Sequence, residues 1–205
     1  MRWVGPGALW LALIAQLGWM SGRLLWGDGP GDKLVYDGVI TAIFAGLALT
    51  RGRVRWLATT ARLLVGLTFL GSVADRFGLL GSAGSPGVSW GDFDHFVTYT
   101  RSVTSFVPAE WAMTLAVLAT FCETVLGVLL VAGIQPRIAA TGAALLLIVF
   151  GGAMTLSLGI GAQFAYAVSL LAAGAWTLTT TDTRTLRLSR LRLPHLRRRE
   201  APVRP

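Results

Sequence analysis

From Trp111 to Gly133 the chain is apolar throughout, apart from a single charge at Glu123. A run of that length matches the roughly 20 helical residues needed to cross a hydrocarbon core about 30 Å thick. Hydrocarbon cannot solvate a carboxylate, so Glu123 needs a partner, a proton or a cavity at that depth. Comparable blocks recur along the chain without the alternation of a membrane barrel. Since only helices or closed barrels satisfy their backbones in lipid, the fold class is an all-α, polytopic transmembrane bundle. Composition agrees: of 205 residues 54% are hydrophobic and 14% charged, and the mean hydropathy is +0.63.

Six apolar segments are expected: Trp3 to Met20, Leu34 to Thr50, Trp56 to Leu80, Glu110 to Gly133, Arg137 to Leu156 and Ile160 to Thr180. The region around Gly18–Ser21 lacks a small-x-small cleavage site, so the first segment reads as a retained helix. The chain divides into an N-terminal helix pair (1–55), a four-helix bundle (56–181) and a basic tail (182–205). Basic residues set the orientation. Arg51, Arg53 and Arg55 crowd one link, Gln135-Pro136-Arg137 forms another, and eight arginines follow Thr181. In a six-helix arrangement all three regions share a side, which places that side and both termini in the cytoplasm of a bacterial inner-membrane protein. The net charge of +8 therefore belongs to topology and to anionic lipid headgroups at the tail, not to nucleic acid. Cys122 is the only cysteine, which excludes a dithiol cycle run by this chain alone.

Glu123 shares a helical face with Ala116, Ala119, Thr120 and Gly127, and small residues of this kind mark a helix–helix contact in lipid. The expected partner is Arg62, about 8 Å deep on the third segment against about 15 Å for Glu123. Such a pair is either a structural clamp or a functional site. Asp75 and Arg76, at the opposite end of the third segment, either pair with a loop residue or line the mouth of a cavity. In the long loop Trp90, Asp92, Asp94 and His95 lie close together. The loop reads as an interfacial amphipathic helix, without the ligand spacing of a metal site. Gln163, Tyr166 and Ser169 on the sixth segment either hydrogen-bond neighbouring helices or hold a quinone carbonyl.

The stretch Ala61 to Thr180 resembles the DoxX family of small bacterial membrane proteins. The resemblance is carried by Arg62-Leu63-Leu64-Val65-Gly66, by Asp75-Arg76 where that family often has a lysine, and by Phe121 to Leu130 around Glu123. It continues in Gly133 to Ala140 and in Phe150-Gly151-Gly152-Ala153-Met154. It implies a four-helix core with two extra N-terminal spans. It also implies a membrane subunit of a redox-associated complex, linked to quinone or to thiol and sulfur chemistry, with other membrane or periplasmic redox proteins as partners. A quinone near Glu123, Arg62 and Tyr166 is the implied ligand. A small-solute transporter and a non-catalytic scaffold are the alternatives.

Overall fold

A computed structural model describes residues 4–26 and 32–181, and among them every regular element is helical. The basic tail after Thr181 lies outside the described residues. The α-helices are α1 (Val4–Trp26), α2 (Asp32–Leu49), α3 (Arg55–Arg76), α4 (Phe93–Val103), α5 (Ala112–Ala132), α6 (Pro136–Leu158), α7 (Ile160–Ala165) and α8 (Val168–Leu178), with a 3-10 turn at Ala109–Trp111 leading into α5. Four of them, α1, α3, α5 and α6, are long and apolar enough to cross a membrane.

Two of the six expected segments differ from a simple span. The apolar part of α2, Val35–Leu49, is shorter than the four long helices. The segment from Ile160 to Thr180 is not one helix: it breaks at Tyr166 and Ala167, and Ala167 takes a left-handed φ of 50°. The third segment also ends earlier than expected, at Arg76 rather than Leu80, and the polypeptide then turns through Gly78 at φ 70°. Helix α1 runs on to Trp26, beyond Met20.

The join between α5 and α6 follows from local chemistry. Gly133 sits at φ 70° and donates to the Leu130 carbonyl at 3.3 Å, while the Ile134 amide reaches back to the Leu129 carbonyl at 3.0 Å. This double bond pattern satisfies the orphan carbonyls of a helix C-terminus. Pro136 then opens α6, where its missing N–H costs nothing.

Large side chains such as Leu11, Ile14, Val117, Phe121 and Val149 lie on the exterior, more than half exposed. The buried face of α6 is built from small residues: Ala139, Ala140, Ala143 and Ala144 are fully buried. Large apolar side chains outside and small ones at a helix contact suit a membrane bundle, because lipid solvates leucine as well as a core does and helices gain by close approach. Helices α3 and α5 approach closely in antiparallel register. A Cβ on Gly66 would lie 3.1 Å from the Gly127 carbonyl, and one on Gly127 would lie 2.9 Å from Leu70 Cγ. On the far side α8 packs on α6 and on α1, and the Phe44 ring of α2 occupies the space a side chain at Gly174 would need.

The crossing predicts that Gly127→Val lowers stability in detergent by roughly 1–3 kcal/mol, because the added methyls overfill a packed contact. Gly152→Val, where a Cβ meets nothing within 4 Å, serves as the neutral comparison. A denaturant titration of both variants checks this.

Candidate functional site

The α3–α5 register decides which cation meets Glu123. Arg62 lies beside Leu130, Gly66 beside Gly127, and Arg76 beside Thr120. Helical side chains lean toward the N-terminus of their own helix. Arg62 therefore leans away from Glu123, whereas Arg76 leans back along α3 and down onto it. The Arg76 Nη2 is 2.8 Å from both Glu123 Oε1 and Oε2. It also donates to Ser72 Oγ, one turn earlier, at 3.0 Å. Nη1 donates to Thr120 Oγ1 at 2.9 Å. Thr120 can accept because its own proton goes to the Ala116 carbonyl at 2.8 Å. Arg76 and Glu123 are each 2% exposed.

The expected Arg62–Glu123 pair is therefore corrected to Arg76–Glu123. Arg62 is just as buried, and its Nη1 donates to the Leu130 carbonyl. Leu130 is seven residues from Glu123, about 10 Å along α5.

Two aromatic rings cover the pair. The Arg76 guanidinium carbon lies 3.6 Å from the Phe96 ring centre and 5.2 Å from that of Trp90. These faces attract a cation and also exclude water from it. Asp75, the neighbouring residue, holds the roof in place. Its Oδ2 accepts from the Ser89 amide at 2.8 Å and the Trp90 amide at 3.3 Å, and its Oδ1 accepts from the Gly91 amide at 3.0 Å. The loop can come this close because residue 91 is glycine, with φ 73°; a Cβ there would collide with the Ala83 backbone. Trp90 in turn packs edge-on against Phe96, 5.1 Å between centres, and against Tyr99 at 5.8 Å.

Each remaining expected residue has a definite place. Asp92 is the N-cap of α4: its Oδ1 accepts from the His95 amide at 2.8 Å and its Oδ2 is 2.7 Å from His95 Nδ1. The His95 backbone bond is the main reason the Asp92 carboxyl is held below its usual range. Asp94 is exposed on the same turn, where a negative charge favours a helix start. Among the described residues no group of three His, Cys, Asp or Glu side chains is placed to hold a metal ion. Gln163 on α7 and Tyr166 at its end lie at the α7–α8 break, where Gln163 Oε1 accepts from Ser169 Oγ at 2.6 Å. Burial, followed by the neighbouring Tyr166, pushes the Tyr99 phenol up.

The sequence reading did not single out Phe96, the ring closest to Arg76. Its signal was modest: an aromatic on the buried side of a short amphipathic helix. It also passed over Gln16 and Asp37, which are buried polar residues inside apolar helices. Each was visible as an isolated polar residue within a hydrophobic run.

A family model described as methylamine utilisation protein MauE matches residues 54–165, more than half of the chain. The chain belongs to the MauE family. This corrects the resemblance to DoxX, which is a different membrane family. The match to MauE runs from the start of α3 to the end of α7, so it contains the whole Arg76–Glu123 site and its roof, while α1, α2 and α8 lie outside it. No curated protein and no solved structure matches the chain.

Removing one partner of a buried pair leaves the other charge unpaired, at a cost of about 3–5 kcal/mol. Arg76→Met is expected to lose that much in a denaturant titration and to expose the loop at 79–92 to protease. Arg76→Met combined with Glu123→Leu, which leaves no unpaired charge, is expected to regain most of the stability. The α4 cap makes a separate prediction. The lowered carboxyl means the cap is complete above the usual aspartate range and is lost as pH falls through the lowered value of the folded state. Hydrogen exchange at the His95 amide should therefore quicken, relative to its intrinsic rate, only at acid pH. Asp92→Asn should abolish that pH dependence.

Proposed function

We propose that this chain is a non-catalytic membrane subunit of a redox-associated complex, and that its role is to present a rigid cap at one end of the bundle to membrane or periplasmic partner proteins. The observation that carries this is the closure of the Arg76–Glu123 site. The carboxylate is held by a guanidinium, the guanidinium is covered by Phe96 and Trp90, and both charges are 2% exposed. Such a site is arranged to hold structure in place. A quinone site built jointly on Glu123 and Arg62 is not part of the proposal, because the two side chains engage different partners.

The family description supports the redox association. Methylamine carries a reduced carbon, and breaking it down as a nutrient draws on oxidative chemistry. The basic residues of the α2–α3 link, the α5–α6 turn and the tail support a bacterial inner-membrane orientation with that end in the cytoplasm. The roofed end, with α4 and the loop at 77–92, then faces the periplasm. Anionic lipids would meet the basic tail.

A photo-crosslinking residue placed at Asp94, on the exposed side of α4, tests the proposal in cells of the source organism. The expected product is an adduct with a protein carrying a redox group: a thiol pair, haem, flavin or quinone. A crosslinker at Val117, on the lipid-facing side of α5, should give no such adduct. Adducts at Asp94 with lipid alone would overturn the proposal, as would redox turnover by the purified chain on its own.

A further inference from the structure

The break between α7 and α8 contains a polar atom that the fold leaves without a partner. Gln16 of α1 is fully buried, and its Nε2 donates to the Phe164 carbonyl at 3.1 Å. A carbonyl can only accept, so the amide nitrogen must face it, and this fixes the position of the amide oxygen. That oxygen, Oε1, has no hydrogen-bond partner. An unpaired acceptor in such surroundings carries a desolvation cost, which is why buried polar groups nearly always have a partner.

The opposite hydrogen-bonding character lies at the same break. The first intrahelical bond of α8 runs from the Leu171 amide to the Ala167 carbonyl at 2.9 Å. The amides of the first α8 turn, residues 168–170, therefore have no acceptor within their own helix. The Ser169–Gln163 hydrogen bond adds two more polar side chains. The location is deep. Helix α8 has 11 residues, which puts its first turn about 16 Å from its far end, midway through a core about 30 Å thick. Interrupted helices at that depth are where membrane proteins place small polar ligands.

We propose that the α7–α8 break binds one small uncharged molecule, about the size of water, that donates a hydrogen bond to Gln16 Oε1 and accepts one from the first turn of α8. The positive pole of α8 disfavours a cation, so the class is a neutral donor–acceptor and not an ammonium ion. Water and ammonia share this chemistry. The site is independent of the Arg76–Glu123 clamp.

The chain has three glutamines, Gln16, Gln135 and Gln163, so selective labelling isolates the site. The full chain, labelled with [¹³C,¹⁵N]glutamine in lipid bilayers, is examined by solid-state NMR with polarisation transferred from water protons. Loss of a resonance in Gln16→Leu assigns it; should that variant not fold, the resonances surviving in Gln135→Ala and Gln163→Ala assign it instead. If water is the ligand, Gln16 Cδ polarises at a rate comparable to that at exposed Gln135, because a buried water hydrogen-bonds directly to its amide. If ammonia is the ligand, ¹⁵N-ammonia supplied at alkaline pH, to glutamine labelled with ¹³C alone, produces a ¹⁵N–¹³C dipolar contact at Gln16 Cδ. Build-up much slower than at Gln135, as for a carbon with no water beside it, together with no ammonia contact, overturns the proposal.

Discussion

A carboxylate in the middle of an apolar helix has few ways to exist, and here the solution is a guanidinium brought to it by the antiparallel register of α3 and α5. Arg76 sits at the last residue of α3, but its long side chain leans back by a turn, so its charge lies beside Ser72, Thr120 and Glu123 and not at the helix end. Two charges in lipid are tolerable when each meets the other and the remaining hydrogen bonds are supplied. Two hydroxyls, Ser72 Oγ and Thr120 Oγ1, supply two of them from residues small enough to fit between closely packed helices, while Arg76 Nε has no acceptor among the described residues.

That pair explains the shape of the bundle end above it. Asp75 and Arg76 are adjacent in sequence and face different tasks. One gathers three backbone amides of the loop, and the other receives the aromatic rings that the loop and α4 deliver. The glycines complete the arrangement: Gly66 and Gly127 let the helices approach, and Gly91 lets the loop close over the pair. A change at the buried charges should therefore be felt at the exposed α4, which links the site to the surface proposed for partner proteins.

The fold class was legible because hydropathy and segment length impose it, and the α5–α6 turn because Gly133 and Pro136 impose that. The importance of Glu123 was legible for the same reason: a lone charge in a long apolar run is conspicuous. Its partner was not. Counting residues from the helix ends gives depth but ignores the lean of side chains, and on depth alone Arg62 looked nearer than it is. The break at Ala167 was hidden too, since Tyr166 and Ala167 include neither glycine nor proline and a left-handed alanine leaves no mark in composition. Degenerate apolar motifs also misled the family assignment: a helical Glu followed by Gly and a basic turn occurs in more than one membrane family, and the match over residues 54–165 is to MauE.

The membrane-subunit reading and the clamp share one premise, that Glu123 is held by Arg76 within the bundle. A ¹⁵N–¹³C distance measurement by solid-state NMR, between the Arg76 guanidinium and the Glu123 carboxyl in lipid bilayers, tests it directly. The account predicts a direct contact at ion-pair range, with nitrogen and oxygen 2.8 Å apart, and none between Glu123 and the Arg62 guanidinium. A Glu123 carboxyl in contact with Arg62, or with lipid acyl chains and no arginine, would contradict it.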